Sequence, residues 1–206
     1  MKPSHYMNEI IFGTTNLAKV AHVQSALDSL GIKVRSIGEF GNFPDLKEDG
    51  ETPQENSRKK AIFYSSQINK PVLSMDITLY FDGVPDKEQP GLNVRRIPGF
   101  AKRPTDEELI GYYSKLIKKY GGEIHGHWEF AMCLALPDGE TKEITAYSKD
   151  RYFTSEICSK RMAGYPLASL QFDKKSNMYI AEMDGEEPDD FWQDSIGKEL
   201  QELLIK

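Results

Sequence analysis

The sequence predicts an α/β protein of mixed strands and helices, and three observations carry that prediction. An apolar run, Ile10, Ile11 and Phe12, passes through a polar turn into a helical pattern. A half-buried alternation follows at 32–37, and further apolar strand patterns at 71–81 and 124–136 are separated by capped helices. Strand, helix and strand in such close succession argue against all-helical and all-strand classes.

The first strand begins at Glu9 and leaves through Gly13, Thr14, Thr15 and Asn16, with Lys19 one turn further on. Helix-start N–H groups carry the positive end of the dipole, so small hydroxyl and amide side chains beside a lysine suit a phosphate. The same Thr-Thr-Asn turn also reads as an ordinary N-cap, because these residues hydrogen-bond locally. The helix is predicted over 17–30 from the spacing of Leu17, Val20, Val23, Ala26, Leu27 and Leu30, and Gly31 closes it.

Residues 38–50 form a loop that carries the acids Asp45, Glu48 and Asp49. Thr52 and Pro53 open a second helix to about Gln67, with Glu55 placed three residues after the cap as in a capping box. Its cluster Arg58, Lys59 and Lys60 reads as a solvated face, with Lys60 also able to turn inward toward an anion. In the strand pattern at 71–81 one acid, Asp76, stands between Met75 and Ile77. Burying a carboxylate there is costly unless it is paired, hydrogen-bonded or metal-bound, which makes Asp76 the strongest single site candidate. The competing reading puts it at the exposed end of the strand, or capping a bend toward Thr78.

A loop at 82–90 leads to a basic stretch, Arg95, Arg96, Lys102 and Arg103. Thr105 and Glu108 cap a third helix to about Tyr120, which Gly121 and Gly122 stop. Residues 124–136 and 141–147 read as a hairpin around Pro137, Asp138 and Gly139. His125 and His127 share one strand face, but no third metal ligand has recognisable spacing. Short strands are expected near 169–172 and 178–181, an acidic turn at 184–190, and a last helix from Phe191 through Ile196, Leu200, Leu203 and Leu204.

The chain of 206 residues is long enough for one domain, 1–206, or two tightly joined lobes, burying about 70% of the unfolded surface. Cys133 and Cys158 lack Cys-x-x-Cys spacing, so a disulfide framework or zinc site is not expected, and a reduced, cytoplasmic protein fits best. No signal peptide or membrane-spanning run is expected, so no membrane partner is either. A formal charge of −6 disfavours a nucleic-acid polymer as partner, so an anion site has to be a focused one.

The order of these motifs resembles the inosine triphosphate pyrophosphatase family, the Ham1-type enzymes that remove non-standard purine nucleoside triphosphates. The family's Thr-x-Asn-x-x-Lys is similar to Thr14, Asn16 and Lys19, and its Glu-Asn-Ala-x-x-Lys-Ala to the run from Glu55 and Asn56 to Lys60 and Ala61. Its Asp-Ser-Gly-Leu resembles Asp76, Ile77, Thr78 and Leu79; its Pro-Gly-x-x-Ser-Ala-Arg resembles the run from Pro90 and Gly91 to Arg96; and its Tyr-Ala-Glu-Met resembles Tyr179 to Met183. The resemblance departs where the family reads its base. Only Gly164 and Tyr165 remain of Phe-Gly-Tyr-Asp-Pro, Ile196 and Gly197 follow Ser195 in place of His and Arg, Phe191 stands for a Lys, and Met75 stands for an acid.

The resemblance implies an elongated mixed sheet flanked by helices, two lobes with a nucleotide cleft between them, and a homodimer. It implies hydrolysis of a nucleoside triphosphate to the monophosphate and pyrophosphate with Mg2+. Asp76 would be general base and metal partner and Asp45 the second metal carboxylate, while Thr14, Thr15, Asn16, Lys19, Lys60 and Arg96 would bind the substrate. The departures leave two further readings: a weak or inactive relative that binds a nucleotide or a protein partner, and an interaction domain whose Thr-Asn turn and Asp76 are plain caps.

Overall fold

Ile10, Ile11 and Phe12 are 1–3% exposed, and a strand bonded along both edges lets them leave water without stranding their backbone groups. In the computed structural model, which describes residues 7–44, 46–100, 102–183 and 192–204, β1 (Glu9–Phe12) pairs in parallel with β2 (Lys33–Ser36) and β3 (Val72–Phe81). β4 (Glu123–Ala135) and β5 (Thr141–Tyr147) extend the sheet to the order β2-β1-β3-β4-β5, and β6 (Arg151–Thr154) runs antiparallel to β4. A separate two-stranded ribbon joins β7 (Phe172–Asp173) to β8 (Met178–Tyr179). The mixed sheet with helices against it is the expected class.

The chain divides into two compact units: the described residues of 1–77, 130–147 and 189–206, and those of 78–129 and 148–188. In the first, Ile11, Ile37 and Val72 pack under Phe40, Phe43, Tyr64 and Ile68. Ala61 of α2 (Pro53–Ile68) meets Cys133 and Ala135, and these small side chains let the helix lie close to the sheet. In the second, α3 (Asp106–Lys119) buries Leu109, Ile110, Tyr113, Leu116 and Ile117 against Leu79, Phe81, Ile124 and Phe153.

Several expectations need correction. The first helix is α-helical only over α1 (Leu17–Leu27), and its last turn tightens to 3-10 geometry over Asp28–Leu30 before Gly31 turns left-handed at φ 66°. Its predicted apolar face is narrower than the spacing implied: Val23, Ala26 and Leu27 are buried, whereas Leu17 is 72% exposed. Thr52 does accept the Glu55 N–H at 3.1 Å, but the Glu55 carboxylate accepts from Glu51 N at 2.8 Å, so only half of the expected capping box forms. The box of α3, between Thr105 and Glu108, is complete.

Ser169 belongs to a 3-10 turn, Pro166–Ser169, rather than a strand, and β6 has no alternation to announce it because β4 supplies its pairing. The last helix is a π-helical turn, Gln193–Gly197, followed by α4 (Lys198–Leu204), with Ile196, Leu200, Leu203 and Leu204 buried. The acidic turn at 184–190 and Phe191 lie outside the described residues. No helix among the described residues is long and apolar enough to cross a membrane.

Candidate active site

The turn after β1 is held by backbone first. Gly13 N donates to Leu73 O at 2.8 Å, and a Cβ on Gly13 would stand 3.0 Å from the Tyr64 ring, so a larger residue here would have to push that ring aside by a few tenths of an ångström. Thr14 Oγ1 accepts from Asn16 N at 3.2 Å, and Asn16 Oδ1 accepts from Ala18 N at 3.0 Å. The N-cap reading of this turn is therefore realised, with the side chains occupying N–H groups that an incoming anion would compete for. Thr15 is exposed and Lys19 is half-buried one turn into α1.

Asp76 lies in the middle of β3, not at its end, and its side chain is 18% exposed. Two residues of α2 meet it. Asn56 Nδ2 donates to Oδ2 at 3.0 Å, while Lys60 Nζ stands 3.7 Å from Oδ1, outside direct hydrogen-bond range. The same ammonium, only 13% exposed, donates to Glu48 Oε1 at 2.9 Å and Met75 O at 3.2 Å. Asn56 and Lys60 are four residues apart on α2, which puts both on one helical face above the strand. Neighbouring cations on that helix point elsewhere: Arg58 makes a two-toothed pair with Glu143 at 2.6 and 2.8 Å, and Lys59 pairs with Asp49.

Lys60 thus turns inward, and the loop acid it holds is Glu48. Asp45 lies outside the described residues. Arg96 is exposed in the second unit on a turn closed by its N–H to Asn93 O at 2.8 Å. Its neighbour Arg95 is the more enclosed of the two, donating to Gly164 O at 3.1 Å and facing Asp106 at 3.6 Å, and burial lowers its pKa. His125 and His127 are engaged by Asp150 at 2.5 Å and by the stacked Tyr80 ring, respectively. Trp192 is buried, with its ring stacked on His22 at 4.4 Å.

Sequence reasoning did not select Asn56 for a role, nor Glu48 above its acidic neighbours. It also passed over Ser74, which shares the strand face of Asp76 two residues earlier, is fully buried, and leaves its hydroxyl without a hydrogen-bond partner. Buried unpartnered hydroxyls are uncommon, and a strand serine beside a half-buried acid is the signal that would have found it.

The cluster has the parts of a phosphate-handling centre: a carboxylate with acceptor capacity left, a second carboxylate, and an ammonium between them. Comparison with known proteins agrees with the fold. The profile of the Ham1 family matches residues 10–191. The dITP/XTP pyrophosphatase of Bacillus licheniformis is 29% identical over 176 residues, covering 84% of this chain and 86% of that protein. That of Bacillus subtilis is 26% identical over 84% of this chain and 85% of its own. The structure of a HAM1 protein from Coxiella burnetii superposes with a TM-score of 0.73 at 23% identity, covering 96% of this chain and 98% of that one. The Ham1 protein of Staphylococcus aureus gives 0.69 at 21% identity, with 95% and 97% covered.

Proposed function

The chain belongs to the Ham1 family, and from that premise we propose that it is a nucleoside triphosphate pyrophosphatase. It cleaves an NTP or dNTP between the α- and β-phosphates, with water, to a nucleoside monophosphate and pyrophosphate. The substrate class is a non-standard purine nucleotide such as ITP or XTP, with an altered base preference. The relatives named dITP/XTP pyrophosphatase support the class. The alteration is supported by Ile196, fully buried, and the buried Gly197, where the family resemblance leads one to expect His and Arg.

The observation that carries the reaction is the half-occupied carboxylate of Asp76. Asn56 fixes Oδ2, leaving Oδ1 with room to take a proton from the attacking water, as a general base must. Lys60 supplies positive charge toward the phosphates, and Thr14, Thr15, Asn16, Lys19 and Arg96 bind the substrate in this reading.

Magnesium is the cation the resemblance implies, and the residues fit it. Glu48 and Asp76 already converge on one ammonium, and magnesium takes one or two carboxylates with phosphate oxygens and waters. Among the described residues no cluster of three or more His, Cys, Asp or Glu would cage a metal, so phosphate and water would supply its other ligands. Asp76 would hold the ion together with a loop acid, which the resemblance makes Asp45 and the contact with Lys60 makes Glu48, and when bound the ion supplies charge that polarises the α-phosphate and acidifies water. A cytoplasmic homodimer completes the reading: the two buried cysteines are free thiols, as a reducing compartment keeps them, and the dimer rests on the resemblance.

The test is pyrophosphate release from inosine, xanthosine and the common ribo- and deoxyribonucleoside triphosphates with magnesium, for wild type and Asp76→Asn. Release from at least one nucleotide, lowered about 10²- to 10⁴-fold by the substitution, is expected. Met75, buried where the family resemblance leads one to expect an acid, favours a second reading, a binder with little turnover. Nucleotide binding without release from any triphosphate would select that reading.

A further inference from the structure

The second unit contains a cavity of about 450 Å3 whose lining shares no residue with the cluster around Asp76. Tyr152 on β6, Phe172 on β7 and Tyr179 on β8 form its aromatic walls. The Tyr152 and Phe172 rings are 6.3 Å apart at 66°, and Phe172 and Tyr179 are 5.2 Å apart at 79°. Rings meeting this steeply make a corner rather than the parallel slot in which a planar base would stack. A corner of π faces suits a compact cation, because each ring presents negative charge along its normal.

A second observation points to the same class of ligand. Lys174, also part of the lining, already holds its ammonium 3.6 Å from the Tyr152 centroid, well inside the range of a cation–π contact. Lys174 is an exposed residue in the turn between β7 and β8, so the contact is made by the end of a long flexible side chain. Glu123 and Glu156 border the cavity and give it acidic character once that ammonium leaves. The wall itself is braced: the hydroxyls of Thr154 and Tyr179 lie 3.2 Å apart, and Glu123 and Thr154 are cross-strand partners.

We propose that this cavity binds a small organic ammonium compound, walled by Tyr152, Phe172 and Tyr179 and counter-charged by Glu123 and Glu156, with Lys174 as a built-in competitor that the ligand displaces. The full-length protein is titrated with choline and with its neutral carbon isostere, 3,3-dimethylbutan-1-ol, at constant ionic strength, following the tyrosine ring resonances. Choline binds saturably and the isostere does not. Lys174→Gln, a change at an exposed side chain, tightens choline binding about fivefold by removing the competitor, and Tyr152→Leu abolishes it. Equal binding of the isostere would make this an unselective apolar hollow and overturn the proposal. So would choline binding by Lys174→Gln that is absent or no tighter than wild type, a comparison that stands even if Tyr152→Leu fails to fold.

Discussion

Asn56 joins Asp76 to the loop that precedes its own helix. Its Nδ2 donates to Asp76 Oδ2 at 3.0 Å, and its Oδ1 accepts from Gly50 N at 2.8 Å. One buried amide therefore orients the carboxylate and pins the end of the segment that carries Glu48. Asn56→Ala removes both bonds and is expected to destabilise the protein by about 1–3 kcal/mol, since the half-buried Gly50 N–H loses its acceptor and the Asp76 carboxylate its donor. Pyrophosphate release is expected to fall about 10- to 100-fold, the usual scale for losing an orienting contact. Thermal melts and steady-state kinetics on the same preparation check the two parts separately.

Gly50 is the other end of that clamp. A Cβ there would stand 2.7 Å from Asn56 Oδ1 and 2.9 Å from the Glu55 Cβ. Because those neighbours are anchored by Asp76 and by the helix start, Gly50→Ala must displace the Asn56 amide. The expected result is a lower kcat without any change of charge at the site. A Gly50→Ala enzyme with unaltered kcat would show that the Asn56 contact does not position Asp76.

His22, stacked on Trp192, has its pKa pushed down by burial from 6.5 to about 4. The folded chain keeps the ring neutral at pH values where the unfolded chain protonates it. Its contribution to stability is therefore complete above about pH 6.5, is lost progressively as pH falls toward 4, and changes no further below that. Melting temperature is expected to fall across this window, and to fall less steeply in His22→Gln. The difference between the two curves isolates His22 from the carboxylates that titrate nearby.

Cys133 is fully buried, and burial pushes its thiol up to about 12; Cys158 is 5% exposed. Thiolate is the reactive form, so a disulfide-exchange reagent at pH 8 is expected to leave Cys133 unmodified in the folded protein. Both cysteines should react once denaturant is added. Rapid labelling of Cys133 in native buffer would mean that β4 opens from its packing against α2.

The strands and helices up to the hairpin at Gly139 were legible because their signals are local. The apolar run of β1, the caps at Asn16, Thr52 and Thr105 and the hairpin turn at Gly139 each need only a few neighbouring residues to be recognised. Asp76 was legible for a related reason, as a charge inside an apolar run. The partners that make it a site were not. Asn56 and Lys60 reach Asp76 because α2 packs through Ala61 against Cys133 and Ala135, a contact between positions far apart in the chain. The choice of Glu48 by Lys60 was equally hidden, since an aperiodic loop gives no basis for ranking Asp45, Glu48 and Asp49. β6 and the Tyr152, Phe172 and Tyr179 corner follow the same rule: short segments without alternation acquire their structure from the strand or ring they meet. The sequence by itself determined the elements and the acid, because backbone preference and periodic burial act over one or two turns. Which side chains surround that acid was decided only in the tertiary structure, because it depends on how a helix face seats on a sheet.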